Sequence, residues 1–515
     1  MLVALMMPQG VWADELTNLT GDAPVFSLAT TGTSFGTNGS SSAGETKYTK
    51  DGIDYWMMDL NPAVIAVGAS DGAAWTFTNN TQYIKVVLAN NIKVGDFIVI
   101  NGSSDAKGGY RFRIFDNSTS STSGADGLAF ADYDMTTSAA DYTFVVTSDN
   151  CLIGKNTFYL RWSSGNKKGS LNSIKVYSGP AAITTNKIWD FTGFNTLAAS
   201  DAGMTSDNLF YGKGISITTI EGTQVLNLPK NGSTFNANNS LAMFMVNGKG
   251  KVTFTYYANA SGTKPFAHKI GIADGVSESL GEKKFKTSWF TFNVDEDTAI
   301  YLYTADNSSG TFYLKDITVT FTPTIPINTI DYATFSSSEA LDFTGLSQKA
   351  YIVTAQSDGK LTYQQVNKVP AATGLLIVGA AGETVKPAFL AKDDAAETIT
   401  TNLLKPTLTA TTVGTTEGAD YGKVWVLGNK SGAGFYKANN GRSLAVGKAY
   451  LYLDGGISAA REFFAFDFDD ETTGVADTRG KMEDVRGEYF DLQGRKVAQP
   501  AKGLYIKNGK KYVIK

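Results

Sequence analysis

The sequence predicts an all-β chain built of successive sandwich modules, and three observations carry that prediction. The 515 residues are 12% aromatic, with 24 Tyr, 30 Phe and 53 Gly, and only 18% charged. Aromatic and β-branched side chains suit a pleated, half-buried surface, while Gly and Asn suit the turns between strands. Short runs of alternating apolar and polar residues are broken by turn signals roughly every 8–12 residues, the spacing of a sandwich or jelly roll. One order of features also occurs twice along the chain. At 55.0 kDa the chain exceeds one ordinary core, so about three or four domains are expected.

The opening run MLVALMMPQGVWA is apolar, and Val11 and Ala13 are the small residues wanted before a signal-peptidase cut. Residues 1–13 therefore read as an export signal. No basic segment precedes the run, so the expected start lies further upstream; a buried first strand is the competing reading. Cys151 is the only cysteine, so no internal disulfide forms, which leaves the compartment open because a large core needs no staple. No later stretch has the roughly 18 apolar residues of a membrane span. The net charge of −4 gives no general attraction to nucleic acid or anionic lipid.

Residues 14–180 and 185–323 read as two related β-sandwich modules. GDFIVINGSSDAKGGYRFRIFDN, from Gly95, has the order strand, polar loop, strand, as does GKVTFTYYANASGTKPFAHKIGIADG, from Gly250; they close on Asp116 and Asp274. Further on, Tyr159-Leu160 corresponds to Tyr301-Leu302, and Leu171–Val176 to Leu314–Val319. Strict alternation in these runs assigns one face to a core and one to solvent. Short linkers, SGPAAITTN and TPTIPIN, follow the two modules. The layout, above all the closing GTFYLKDITV strand, resembles the jelly-roll, galactose-binding-like and carbohydrate-binding modules of secreted bacterial glycan-degrading proteins.

Residues 327–472 form a further β-rich domain. Pro370–Gly374 is a turn between strand-like runs, and GKAYLYL is another alternating strand. The run GFYKA followed by GKAYL resembles a β domain recurrent in large exported proteins of the Bacteroidota, with no chemistry attached to it.

Residues 476–515 read as a linker feeding a small β domain. They carry ten Lys/Arg against five Asp/Glu, in a chain that is otherwise acidic. Gly494 marks one turn, Pro500 ends a strand, and Asn508-Gly509 signals a hairpin. The set Tyr489, Leu492, Gly494, Arg495, Lys502, Gly503, Tyr505, Ile506 and Lys515 resembles the C-terminal sorting domain of type IX secretion cargo. That resemblance implies recognition by the secretion machinery and a secreted or cell-surface location. An ordinary terminal β domain with lysines guarding an edge strand is the alternative.

Catalytic signatures are few. With one His, His268, and one Cys, neither a His/Cys zinc cluster nor the two-histidine HExxH motif is available within the chain, and His268 reads as a surface or half-buried strand residue. GTSFG matches the G-x-S-x-G pattern around Ser34, but its neighbours form a polar loop without the helix that a nucleophile elbow needs. The carboxylates sit in turn-like settings such as DEDT and FDFDDE, and a glycosidase pair is not evident. No enzyme activity is expected.

Binding is the stronger expectation. Sugar rings present C–H faces on which flat aromatic rings stack, while amides and carboxylates bond the hydroxyls. The first module offers Tyr110, Tyr133, Tyr159 and Trp162 near Arg111, Asp116, Asn117 and Asn166. The second offers Tyr257, Trp289 and Tyr303 near Asn259, Asp274 and Asn307. Alternation assigns about half of such aromatics to packing. No cofactor is expected; the loop acids have a structural Ca²⁺ as an alternative role. A glycan is thus the expected partner, and a structural or adhesive surface protein with the modules as spacers is the competing class.

Overall fold

The two sandwiches are built from one topology used twice. The computed structural model describes residues 83–117, 135–163, 166–194, 207–232, 241–258, 266–275, 283–305, 311–327, 329–416, 418–438, 441–455, 463–466 and 468. It also describes the strands Leu16–Asn18, Phe26–Ala29, Gly44–Lys50, Ile53–Asp59, Trp75–Phe77, Leu128–Phe130, Gly203–Thr205, Tyr489–Phe490, Lys496–Val497, Gly503–Lys507 and Lys510–Ile514. The fold is all-β, and the described residues contain no α-helix.

In the first sandwich, Phe97–Ser104 is flanked by Ala140–Val145 and Gly169–Tyr177, and Phe26–Ala29 and Trp75–Phe77 join the outer side of Gly169–Tyr177. The opposing sheet centres on Tyr83–Val87, Thr157–Trp162 and Phe112–Phe115. Inward side chains of the two layers, among them Ile98, Ile100, Phe144, Ile84, Leu160 and Trp162, make one core. Alternate strand positions face it, as the period of two requires.

The second sandwich repeats this plan with fewer breaks. Leu241–Ala258 and Phe285–Ala305 are single strands of 18 and 21 residues that serve both layers. Gly248, at φ +123°, sits where Leu241–Ala258 shifts register and passes from one layer to the other. Phe312–Phe321 occupies the place of Gly169–Tyr177, with Lys187–Asp190 and Thr223–Leu228 beside it.

The repeat extends to an irregularity. Leu171 pairs with Gly102 and Ser173 with Asn101, leaving Asn172 as a bulge. Leu314 pairs with Tyr256 and Asp316 with Thr255, leaving Lys315 as a bulge at the equivalent place. The correspondences Leu160/Leu302 and Leu171/Leu314 expected from sequence match this register. Asp116 and Asp274 do not correspond: Ile114 and His268 face Leu160 and Leu302, so the counterpart of Asp116 is Ile270.

Strict one-sided alternation fails for two runs. Phe97–Ile100 and Leu241–Val246 are buried on both faces. Phe97, Val99, Val145 and Tyr177 of the first sandwich pack against Phe210, Met243, Met245, Tyr301 and Tyr303 of the second. The sandwiches therefore join sheet to sheet through an apolar interface. The linker is fixed too: Asp96 accepts from the Gly179 N–H at 2.9 Å, and Ile183 bridges to Val246. Leu16–Asn18 pairs with Gly203–Thr205, so this early strand belongs to the second sandwich's sheet.

The third region is three-layered. A sheet of Tyr332–Phe335, Leu375–Val378, Lys349–Ser357 and Lys360–Val366 has Ile352 and Ile377 in one core and Val353 and Leu376 in another. The second core is closed by a five-stranded sheet, Leu404–Thr407, Lys448–Tyr452, Val424–Gly428, Gly434–Lys437 and Phe463–Ala465. Lys251–Glu339 (2.8 Å) and Lys392 Nζ–Ser288 Oγ (2.9 Å) tie the second sandwich to this region. At the end, Tyr489–Phe490 lies between Lys496–Val497 and Gly503–Lys507, which pairs with Lys510–Ile514.

Candidate functional site

The outer face of the second sandwich gathers the residues best suited to a ligand. Along Leu241–Ala258 the even positions Val252, Phe254 and Tyr256 enter the core, so Lys251, Thr253, Thr255 and Tyr257 face outward. Tyr257 pairs with Phe285 on one neighbour and Tyr313 on the other. The three rings form a row across three strands, with centroids 5.3 Å apart for Tyr257–Phe285 and 6.4 Å for Tyr257–Tyr313. Phe285 and Tyr313 are half-buried; Tyr257, between them, is 8% exposed and donates to Glu221 Oε1 at 3.2 Å.

Beside the row stand hydroxyls and a carboxyl. Thr255 Oγ1 and Thr287 Oγ1 lie 3.3 Å apart. The Lys315 bulge turns Asp316 toward Thr255, whose hydroxyl bonds it. Burial, reinforced by Asp190 across the strand pair, pushes the Asp316 carboxyl above its ordinary value against the lowering effect of that bond. The face combines rings that stack with groups that donate and accept, as sugar recognition requires.

The other expected contacts are dispersed. Trp162 is 0% exposed, its indole N–H donates to the Lys167 carbonyl at 2.6 Å, and its ring meets Phe112 edge-on. Tyr303 is 5% exposed in the interface between the sandwiches, and burial, with Asp274, pushes its phenol up to about 12. These two are packing residues, a correction to their reading as ligand contacts. Tyr110 packs half-buried against the first core. Burial would raise Asp116, but Lys155 and Asn117 together hold its carboxyl below the usual range. Asp274 is exposed and paired with Lys269. Trp289 shares the outer face with Tyr257 but lies toward the third region, with Lys251 Nζ 5.5 Å from its ring centre.

His268 is a buried strand residue, 8% exposed, stacked on Phe290 at 3.6 Å. Tyr133, Asn259, Asn307, Ser34 and residues 1–13 lie outside the described residues, as do Leu492, Gly494, Arg495, Lys502 and Lys515. Tyr489, Gly503, Tyr505 and Ile506 fall on strands of the terminal sheet. Among the described residues no three His, Cys, Asp or Glu side chains form a metal-binding group, and no helix is long and apolar enough to cross a membrane.

Sequence reasoning missed Phe285, Tyr313 and Asp316. The signal was present in register: Phe285 and Tyr313 both stand opposite Tyr257 once the three strands are paired.

Neither a family model nor a curated protein matches the sequence. Solved structures match at 8–11% identity. The N-terminal CBM22-1–CBM22-2 tandem domain of Xyn10C from Paenibacillus barcinonensis is 10% identical and covers 58% of this chain and 97% of its own, with a TM-score of 0.19. The triple jelly roll of an archaeal virus turret is 8% identical and covers 67% and 85%, also at 0.19. A truncated AlyQ with CBM32 and alginate lyase domains is 10% identical and covers 54% and 99%, at 0.16. At TM-scores this low the likenesses carry no argument about ligand or activity.

Proposed function

We propose that the chain is a non-catalytic, exported or cell-surface protein that binds a glycan on the outer face of its second sandwich. The observation that carries this reading is the Tyr313–Tyr257–Phe285 row beside Thr255, Thr287 and Asp316. The equivalents of Tyr313 and Tyr257 in the first sandwich are Ser170 and Ser103, so the shared topology does not require rings there. Stacking on the half-exposed rings supplies affinity; the hydroxyls and carboxyl supply orientation.

A glycan array probed with the full chain, with and without Ca²⁺, tests the reading. Selective binding should fall roughly tenfold or more in Tyr313→Ala, a loss of about 1.4 kcal/mol, while the melting temperature is kept. A blank array with folded protein would refute it. The Ca²⁺ arm tests the structural-ion role of the loop acids.

Export rests on the apolar start and the terminal motif. Deleting residues 476–515 should leave the protein in the periplasm; normal surface display of that truncation would sink the sorting role. The second reading, a stiff structural spacer, is favoured by the apolar interface between the sandwiches and by the Lys251–Glu339 and Lys392–Ser288 ties to the third region.

A further inference from the structure

We infer a second sugar-stacking site, on the outer face of the five-stranded sheet in the third region, formed by Tyr436 and Phe463. It accounts for the GFYKA run, to which no chemistry was attached. Phe435 of that run enters the core beside Trp425, so Tyr436 faces outward, cross-strand from Val426 on one side and Phe463 on the other.

Both rings lie down on glycine. A Cβ at Gly428 would stand 2.8 Å from Tyr436 Cδ2, and one at Gly434 would stand 2.3 Å from Phe463 Cε2. A side chain at either position would lift the ring off the sheet; without one, each ring rests one face on backbone and both stay half-exposed. Their centroids are 4.6 Å apart, with planes inclined by 31°.

The Tyr436 hydroxyl is already engaged, accepting from the Ser431 N–H at 2.5 Å and donating to the Gly432 carbonyl at 2.6 Å. The ring is therefore oriented before any ligand arrives, and little ordering entropy remains for binding to overcome. The turn carrying those atoms exposes Asn429, Lys430 and Ser431 at the rim. Tyr436 and Phe463, bordered by Val426 where it packs against the Val413–Val424–Ala438 cluster, make an apolar surface for the C–H face of a pyranose, with polar groups beside it for the hydroxyls. Covering a glycine with a ring also stabilises a sheet. That role needs apolar coverage only, so the two roles separate experimentally.

Affinity electrophoresis of the full chain through gels containing xyloglucan, galactomannan, laminarin or glycogen tests the site. At least one gel should retard the protein. Phe463→Leu keeps apolar cover over Gly434 without a π-face, and Gly428→Ala displaces the Tyr436 ring; each should weaken retardation roughly tenfold with an unchanged melting temperature. Tyr436→Phe, which keeps the ring but loses the two bonds that orient it, should weaken retardation less than either. Retardation lost only in Tyr313→Ala would assign all binding to the second sandwich and overturn this site. So would retardation that survives both Phe463→Leu and Gly428→Ala, or no retardation of the folded protein by any of the four polysaccharides.

Discussion

The same sheet face occurs in both sandwiches, and its fate differs. In the first it carries Phe97, Val99, Val145 and Tyr177; the positions equivalent by strand register in the second are Lys251, Thr253, Thr291 and Thr320. The apolar set is buried against the neighbouring sandwich, and the polar set is not. Identical topology thus yields an apolar glue surface in one copy and a polar surface, tied to the third region through Lys251–Glu339, in the other, decided by four side chains that never touch their own core. Further along the face the contrast continues: Asn101 donates to Asp141 and accepts from Asn172, each at 2.7 Å, in the first copy, where the second has Thr255, Thr287 and Lys315. Duplication kept the scaffold and changed what it presents.

The contrast breaks most directly at Phe97. Phe97→Lys installs the residue of the second copy at a site that is 0% exposed between Tyr177 and Phe210. A cation there loses the ring packing and gains no partner, so a loss of about 3–5 kcal/mol is expected. Guanidinium unfolding of the full chain checks it, and a separate earlier transition of one sandwich would identify the interface as the failing element. No change would mean that the sandwiches do not depend on this contact.

The two tryptophans sharpen the distinction between inner and outer faces. Trp162 fills the first core above Gly169, where a Cβ would stand 2.4 Å from the indole. Trp162→Ala should cost about 3–5 kcal/mol. Trp289 is half-buried on the outer face, and Trp289→Ala should cost about 1 kcal/mol. Parallel chemical denaturation of the two variants measures the difference; equal costs would mean that the outer face is covered as completely as the core.

Sequence periodicity explains which parts of this were legible. Inward alternation located the cores, and the repeated order of features located the duplication down to the Leu171/Leu314 correspondence. The interface was harder to read, although FIVI and LAMFMV do not alternate. An unbroken apolar run means a strand buried on both sides, without saying what buries the second. Trp162 and Trp289 look alike in sequence because each stands in an aromatic-rich strand, and only register distinguishes inner from outer. The candidate row was least legible: Phe285, Tyr257 and Tyr313 are far apart in the chain and meet only through pairing.

The smallest expected effect separates the two copies by the sign of a pH dependence. Burial raises Asp316 in the second sandwich, whereas Lys155 and Asn117 outweigh burial and lower Asp116 in the first. For Asp316 the folded protein keeps a proton that the unfolded chain has released, so stability declines as pH rises from the ordinary carboxylate value through the raised one. For Asp116 the unfolded chain holds the extra proton, so its stabilisation is present above the ordinary value and is lost as pH falls through the depressed one. Asp316→Asn should therefore gain on wild type as pH rises through that window, and Asp116→Asn should lose at neutral pH but converge with wild type in acid. Melting temperatures of the three proteins across the acid range give both slopes. Parallel curves for Asp316→Asn would mean that Thr255 fully offsets the burial, leaving a carboxylate of ordinary acidity beside the aromatic row.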